Sequence, residues 1–337
     1  MPKRVFSAVM FILLLANMLT LVLNIQPVKA SGTIYIRADG SIDPPTAPIY
    51  TADNITYTLT GNIPVGADGI VIERDNIVVD GAGYTVTGSG NGNGTTLTDR
   101  SNVTVRSMTI KNFEYGIFLD SSSNTTLSGN NITANNYCGI RLGYSSNNTV
   151  SCNNVSNNGG GISFSSSSNN TVSGNNVANN GWGIGFGNSS DNILSRNNFA
   201  NNGYGIELDE SSNNTFSGND VTANNGRGIG LVYSSNNVFH HNNFINNTQH
   251  VHIENTGYAN SWDDGYPSGG NYWSDYNGTD ADHDGIGDTP YIIDANNIDH
   301  YPLMIPNAIP EFPIFFILPL FMMMTSLAVL VYKRKNK

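Results

Sequence analysis

Apolar residues return in short bursts at a fixed interval through the middle of the chain. The dipeptide Gly-Ile stands at 116–117, 139–140, 161–162, 183–184, 205–206 and 228–229, and Val251 falls on the next beat; the steps are 23, 22, 22, 22, 23 and 22 residues. Two further columns keep the interval: Val105, Leu127, Val150, Val172, Leu194, Phe216, Phe239, and Ile110, Ile132, Val155, Val177, Phe199, Val221, Phe244. Three short apolar segments per period predict a solenoid with three strands per turn. The Gly and Asn between them disfavour helix. The expected fold is all-β, a single-stranded β-solenoid of about 22-residue coils with a cap at each end.

In a typical coil, 168–189, Thr171–Ser173 and Asn176–Ala178 form the first two strands and Gly183–Phe186 the third. Ile184 and Phe186 share a parity and point inward, as do Ile162/Phe164, Ile206/Leu208 and Ile229/Leu231. Each coil then buries about four apolar side chains at roughly 1.5–3 kcal/mol each, so stability is collective. A rise of about 4.8 Å per coil makes seven beats a rod core on the order of 30 Å long. Asn pairs recur at the corners: 153–154, 175–176 and 197–198, then 157–158, 179–180 and 201–202. Asn tolerates the left-handed backbone of a sharp corner, and stacked amides can hydrogen-bond along a ladder.

The termini differ in kind. Residues 1–30 read as a signal peptide, with Lys3 and Arg4 before an apolar run and Val28-Lys29-Ala30 as the cleavage signal. Residues 31–100 hold an N-terminal cap and first strands, 101–253 the β-helix, and 254–305 a C-terminal cap to which Trp262, Tyr272, Trp273 and Tyr276 bring bulk. A linker at 306–313 leads to a transmembrane helix at 314–332, 19 residues without a charge. The basic tail, 333–337, then lies in the cytoplasm. The expected product is exported and anchored at the cell surface by one C-terminal helix.

Charge narrows the partners. Seven of the 15 Lys and Arg lie in the terminal segments and all 26 acids lie between them, leaving eight against 26 and a net charge of −18. That argues against nucleic acid and anionic lipid, and for divalent cations or neutral ligands. Cys138 and Cys152 lie in neighbouring coils, where a disulfide is permitted but not required.

Candidate chemistry is concentrated late in the chain. Asp280, Asp282, Asp284 and Asp288, with Gly285 at the sixth position and the Ile286 carbonyl at the seventh, match the start of a calcium loop. Tyr291 stands where an EF-hand has its Glu, so this is either a short Asp-rich calcium turn, which Asp294 or Asp299 would complete, or a solvated acidic turn. The histidines cluster as His240, His241, His250 and His252. The last two, two apart on a strand, share a face and could hold a transition metal such as copper, or be surface polar residues.

For catalysis the candidates are Asp120 and Asp209. Glu207 and Asp209 are expected on opposite faces of their strand, a poor pair for glycoside hydrolysis. The position before each Gly-Ile reads Tyr115, Cys138, Gly160, Trp182, Tyr204, Arg227, Gln249. Trp182 and Tyr204 are a platform for sugar rings if exposed and core if inward, and their parity with Ile184 and Ile206 points inward.

The repeat Asn-Asn-Thr-Val-Ser-Gly-Asn-Asn-Val at 169–177, followed by Gly-Ile-x-Phe, resembles the NosD-type right-handed parallel β-helix family. Gly269-Gly-Asn-Tyr-Trp-Ser-Asp275, the acidic loop and Tyr301-Pro-Leu-Met304 resemble the terminal segment of its archaeal members. Pro310-Glu311-Phe312 resembles an archaeal surface-protein sorting signal. The resemblance implies the fold, and through the founding member a role in copper delivery to nitrous oxide reductase. The methionines outside the terminal segments are Met108 and Met304, which departs from a copper carrier. The pectin hydrolases and lyases share the fold, but their Gly-His-Gly and Arg-Ile-Lys motifs are absent. The reading is a surface-anchored binder of polysaccharide or cell-envelope components. Its alternatives are a polysaccharide lyase or glycoside hydrolase, and a copper-handling protein.

Overall fold

In the computed structural model, which describes residues 32–254 and 257–307, three parallel sheets wind about one core as a right-handed β-helix. Sheet 1, of 11 strands, carries the Gly-Ile segments, such as Trp182–Gly187; sheets 2 and 3, of 10 strands each, carry the other two columns. The register follows the beat, with Ile117, Ile140, Ile162, Ile184, Ile206, Ile229 and Val251 paired coil to coil. In one coil Val172, Val177, Ile184 and Phe186 fill the interior.

The parallel ladder starts earlier than residue 101. Ile34–Ile36 already pairs in parallel with Ile70–Ile72, and Thr56–Leu59 with Ile77–Asp80. Among the described residues two short antiparallel additions, Ile42–Asp43 and Ile49–Tyr50, turn the N-terminal edge. At the other end Trp262 stacks on Phe239 and Trp273 on Phe244, each pair 4.4 Å apart between ring centroids. Tyr291 stacks on Trp273 in turn at 4.3 Å. The 314–332 segment and both terminal tails lie outside the described residues. Among the described residues no helix is long and apolar enough to cross a membrane.

Corner chemistry is divided between neighbouring residues. Asn157, Asn179 and Asn201 take positive φ of 55–58°, while Asn158, Asn180 and Asn202 beside them are buried. Each buried amide accepts at Oδ1 from the backbone of the coil before it. Asn175 N donates to Asn197 Oδ1 at 3.0 Å, and Asn175 Nδ2 to the same oxygen at 2.9 Å. One ladder runs Asn130–153–175–197–219–242–271, a second Asn135–158–180–202–224–247. A third, through Asn148, Asn170, Asn192, Asn214, Asn237 and Asn260, has the same form. These bonds satisfy N–H groups that the turning backbone leaves unpaired.

Two-residue alternation fails at the glycine of sheet 1, and the failure sets the candidate site. Gly183 and Ile184 are both buried. A Cβ at Gly183 would strike the Gly205 carbonyl and crowd the Phe199 ring, so the position faces inward against the next coil. Two successive inward positions put the preceding residue outside.

Candidate functional site

Trp182 and Tyr204 therefore face outward. Trp182 is half-buried and Tyr204 is 46% exposed. Of the two orientations left open by the sequence this is the platform one; parity pointed inward because it carried strict alternation through a backbone that does not alternate there. The Trp182 indole leans back over Gly160, where any Cβ would strike it. Tyr137 meets it edge-on at 6.0 Å, and Tyr115 lies 5.2 Å from Tyr137. On the far side Arg227 caps the Tyr204 ring, its guanidinium carbon 5.1 Å from the centroid. An aromatic stripe thus runs along one margin of sheet 1.

Beside the stripe the outward positions are small. One row reads Phe118, Arg141, Ser163, Gly185, Glu207, Gly230, His252, and the next Asp120, Gly143, Ser165, Gly187, Asp209, Val232. Ser163, Ser165, Gly185 and Gly187 form a low floor. Arg141 and Asp120 rise at one end of it, and Glu207 and Asp209 at the other.

The acids sort differently from expectation. Glu207 and Asp209, two residues apart on an extended strand, lie on the same outer face, not on opposite faces. Both Glu207 oxygens engage Arg227, Nε to Oε1 at 2.8 Å and Nη2 to Oε2 at 2.6 Å. Asp120 and Asp209 share a column but stand four coils apart, about 19 Å at the sheet spacing. They cannot flank one glycosidic bond, which needs carboxyls within about 10 Å.

His250 and His252 do not converge, contrary to the shared-face reading. His250 occupies the inward glycine position of its coil and is buried against Phe244 and Trp273, whereas His252 lies in the outward row beside Gly230. Burial holds the His250 pKa below its ordinary value, opposed by Asp275, whose Oδ1 lies 3.3 Å from Nε2. Cys138 is buried and Cys152 exposed, and neither is in a disulfide.

The acidic loop gathers Asp280, Asp282 and Asp284, with one carboxylate oxygen from each within 4.8 Å of the others. Asp280 also accepts from Gly285 N at 3.0 Å and Asp284 from Ile286 N at 2.8 Å. Asp288 Oδ2 is turned to Ala281 N at 2.8 Å. Asp294 and Asp299 do not complete this loop. Asp294 accepts from Asn296 and Asn297, and Asp299 is buried, accepting from Trp273 Nε1 at 2.9 Å and Asn271 N at 2.7 Å. A grouping that spacing did not reveal is His240, His241 and Asp264, brought together across a corner and a cap turn.

Fold and surface together define a parallel β-helix with an aromatic-edged outer face on its widest sheet. A family profile described as periplasmic copper-binding protein (NosD) matches residues 70–278, and the chain belongs to the NosD family. No curated protein matches the chain. The solved Dettilon tailspike protein is similar at 17% identity and TM-score 0.51, over 62% of this chain and 53% of its own. The enzymatically active domain of bacteriophage CBA120 tailspike protein 2 is similar at 14% identity and TM-score 0.50, over 60% and 38%. The periplasmic alginate epimerase AlgG is similar at 13% identity and TM-score 0.46, over 69% and 82%. At these identities the likeness is one of fold.

Proposed function

We propose that the protein binds polysaccharide or a cell-envelope glycan on the outer face of sheet 1, without cleaving it. The carrying observation is the outward stripe of Tyr115, Tyr137, Trp182 and Tyr204 beside a Ser/Gly floor. Flat rings stack on the apolar faces of sugars, and small neighbours leave room for a chain lying across several coils. The strongly acidic body favours a neutral glycan or one bridged by cations. The same reading has the chain exported and anchored by 314–332 with its C-terminus in the cytoplasm, and the Asp280–Asp288 loop holding calcium. Oxygen-only donors on a tight turn suit that ion.

Glycan-array binding by the full-length chain tests the main proposal. Trp182→Ala and Tyr204→Ala should each weaken retention by about 30-fold, the loss of one anchoring ring, with little change in melting temperature. Undiminished binding by both variants would overturn the site.

A second reading, hydrolysis, rests on Glu207 and Asp209 sharing a face about 6.6 Å apart along the strand. New reducing ends on incubation with acidic polysaccharides, lost in Asp209→Asn, would replace binding by catalysis. A further alternative, copper handling, takes its support from the family description; His250 and His252 do not supply the ligands.

A further inference from the structure

Two neighbouring columns change character together at one coil. The residue ending each sheet 2 strand is Ser128, Ser151, Ser173, Ser195 and Ser217, then His240. The corner residue after it, at positive φ throughout, is Gly129, Cys152, Gly174, Arg196 and Gly218, then His241. The cap folds a turn over this corner. Asp264 N donates to the Gly269 carbonyl at 3.0 Å, Ser268 Oγ to Asp264 Oδ2 at 2.9 Å, and His241 N to the Gly270 carbonyl at 2.6 Å.

The ring atoms are arranged for a shared guest. His241 Nε2 lies 2.8 Å from the Ser268 carbonyl, and His241 Nδ1 lies 2.8 Å from His240 Nδ1. A carbonyl only accepts, so Nε2 of His241 carries the proton and its Nδ1 presents a lone pair. That lone pair faces the Nδ1 of His240. At this separation something positive must lie between the two nitrogens, either a proton on His240 or a metal ion. An Asp264 carboxylate oxygen and one nitrogen of each ring all lie within 4.8 Å of one another.

We propose that His240, His241 and Asp264 bind one divalent transition-metal ion through both Nδ1 atoms and a carboxylate oxygen. Nitrogens 2.8 Å apart and each about 2.0 Å from an ion subtend an angle of about 90°. That is the cis angle of tetragonal Cu(II) or Ni(II), and tetrahedral zinc would need the rings further apart. The donor set holds no sulfur, so it does not suit Cu(I). The Ser268 carbonyl fixes the ring and tautomer of His241 from outside the coordination sphere. The ligands lie on the sheet 2 corner and the cap, so this site is independent of the glycan-binding face on sheet 1.

The test is titration of the metal-stripped, untagged, full-length chain with Ni(II) by calorimetry, paired with Cu(II) electron paramagnetic resonance. One ion per chain, with a Kd of about 10 μM or tighter, is expected. The Cu(II) spectrum should show coupling to two imidazole nitrogens. The double variant His240→Ser, His241→Gly restores the residues of neighbouring coils, so it keeps the fold. It should bind Ni(II) at least about 100-fold more weakly, beyond what losing an outer-shell partner alone costs. Asp282→Ala and His250→Ala should bind as the wild type does. Undiminished Ni(II) binding by the double variant, or no Ni(II) or Cu(II) bound by the wild type, would overturn the site. Binding that disappears in Asp282→Ala instead would overturn it too and place the ion in the acidic loop.

Discussion

From Cys138 to Val232 each coil hands its unpaired amides to the coil that follows, whereas around Trp262 and Trp273 the coils stop and the handed-on donors need another recipient. In the rod the recipient one coil along is an Asn Oδ1 in three corner columns and a Ser Oγ in a fourth, Ser122–145–167–189–211–234. At the cap each ladder ends differently. Asn271 donates through N and Nδ2 to Asp299, an acceptor-only group, and Asn260 donates to Asn297, which passes its own Nδ2 to Asp294 and the Tyr258 carbonyl. The remaining ladder ends at Asn247, whose Nδ2 lies 3.3 Å from His250 Nδ1. A neutral amide can continue a directed chain of hydrogen bonds but cannot finish one. The asparagine ladders therefore end on the carboxylates of Asp299 and Asp294 and on the His250 imidazole, where the rod uses asparagine and serine; the Trp262 and Trp273 indoles add further donors, to Asn297 and Asp299.

The sharpest break in this comparison should come from adjacent rod residues. Asn197→Ala removes the acceptor for Asn175 N and leaves the Val172 carbonyl without its amide donor. Two buried orphans should cost about 4 kcal/mol, read from urea denaturation. Asn198→Ala, which removes an exposed amide bond to Asn176, should cost less than about 0.5 kcal/mol. Equal losses at the two positions would refute the ladder as the main stabiliser of the corners.

The cap should be the part that responds to pH. Asp299 is pushed up to about 6 from 3.8 by burial, against the pull of bonds from Asn271, Trp273 and Tyr301. The folded chain therefore binds this proton more tightly than the unfolded chain. Stability from the group is full below about pH 4 and is lost as pH rises through about 6, a change of about 3 kcal/mol. Urea midpoints at pH 4 and pH 7 should show this loss, and Asp299→Asn should remove it. An unchanged pH dependence in the variant would show that Asp299 is not its source.

The smallest effect sharpens the contrast. If the acidic loop holds calcium, EDTA should lower the melting temperature by a few degrees, on the order of 5 °C, and Asp282→Ala should abolish the difference. Hydrogen exchange should then quicken in residues 272–303 and stay unchanged in the sheets of the rod. A melting curve indifferent to EDTA would leave the loop a solvated turn.

The rod was legible because its signal is repeated. One coil could be misread, but three apolar columns in step through seven beats leave a single register, and Ile184 pairs with Ile162 and Ile206 as spacing requires. Orientation was less legible. Strict alternation failed at the inward glycine, which sent Trp182 out and His250 in. The face shared by Glu207 and Asp209 follows from their two-residue separation and was open to the sequence. The grouping of His240 and His241 with Asp264 was not, because it depends on a cap turn that obeys no period. A sequence signal was nevertheless present there, in two columns leaving their Ser and Gly/Cys/Arg residents at the same coil.

The matched register makes the length of this molecule adjustable independently of its chemistry. A cut after Asn175 and another after Asn197 fall at equivalent points of successive coils, so excising 176–197 would rejoin two surfaces that already fit, and duplicating that stretch would interpose one more copy of the same surface. Each such edit moves the cap by one strand spacing, about 4.8 Å, along the axis. The caps, the metal-binding corner and the ends of the amide chains would be carried along unaltered, so the span between the two ends behaves as a setting in whole-coil increments.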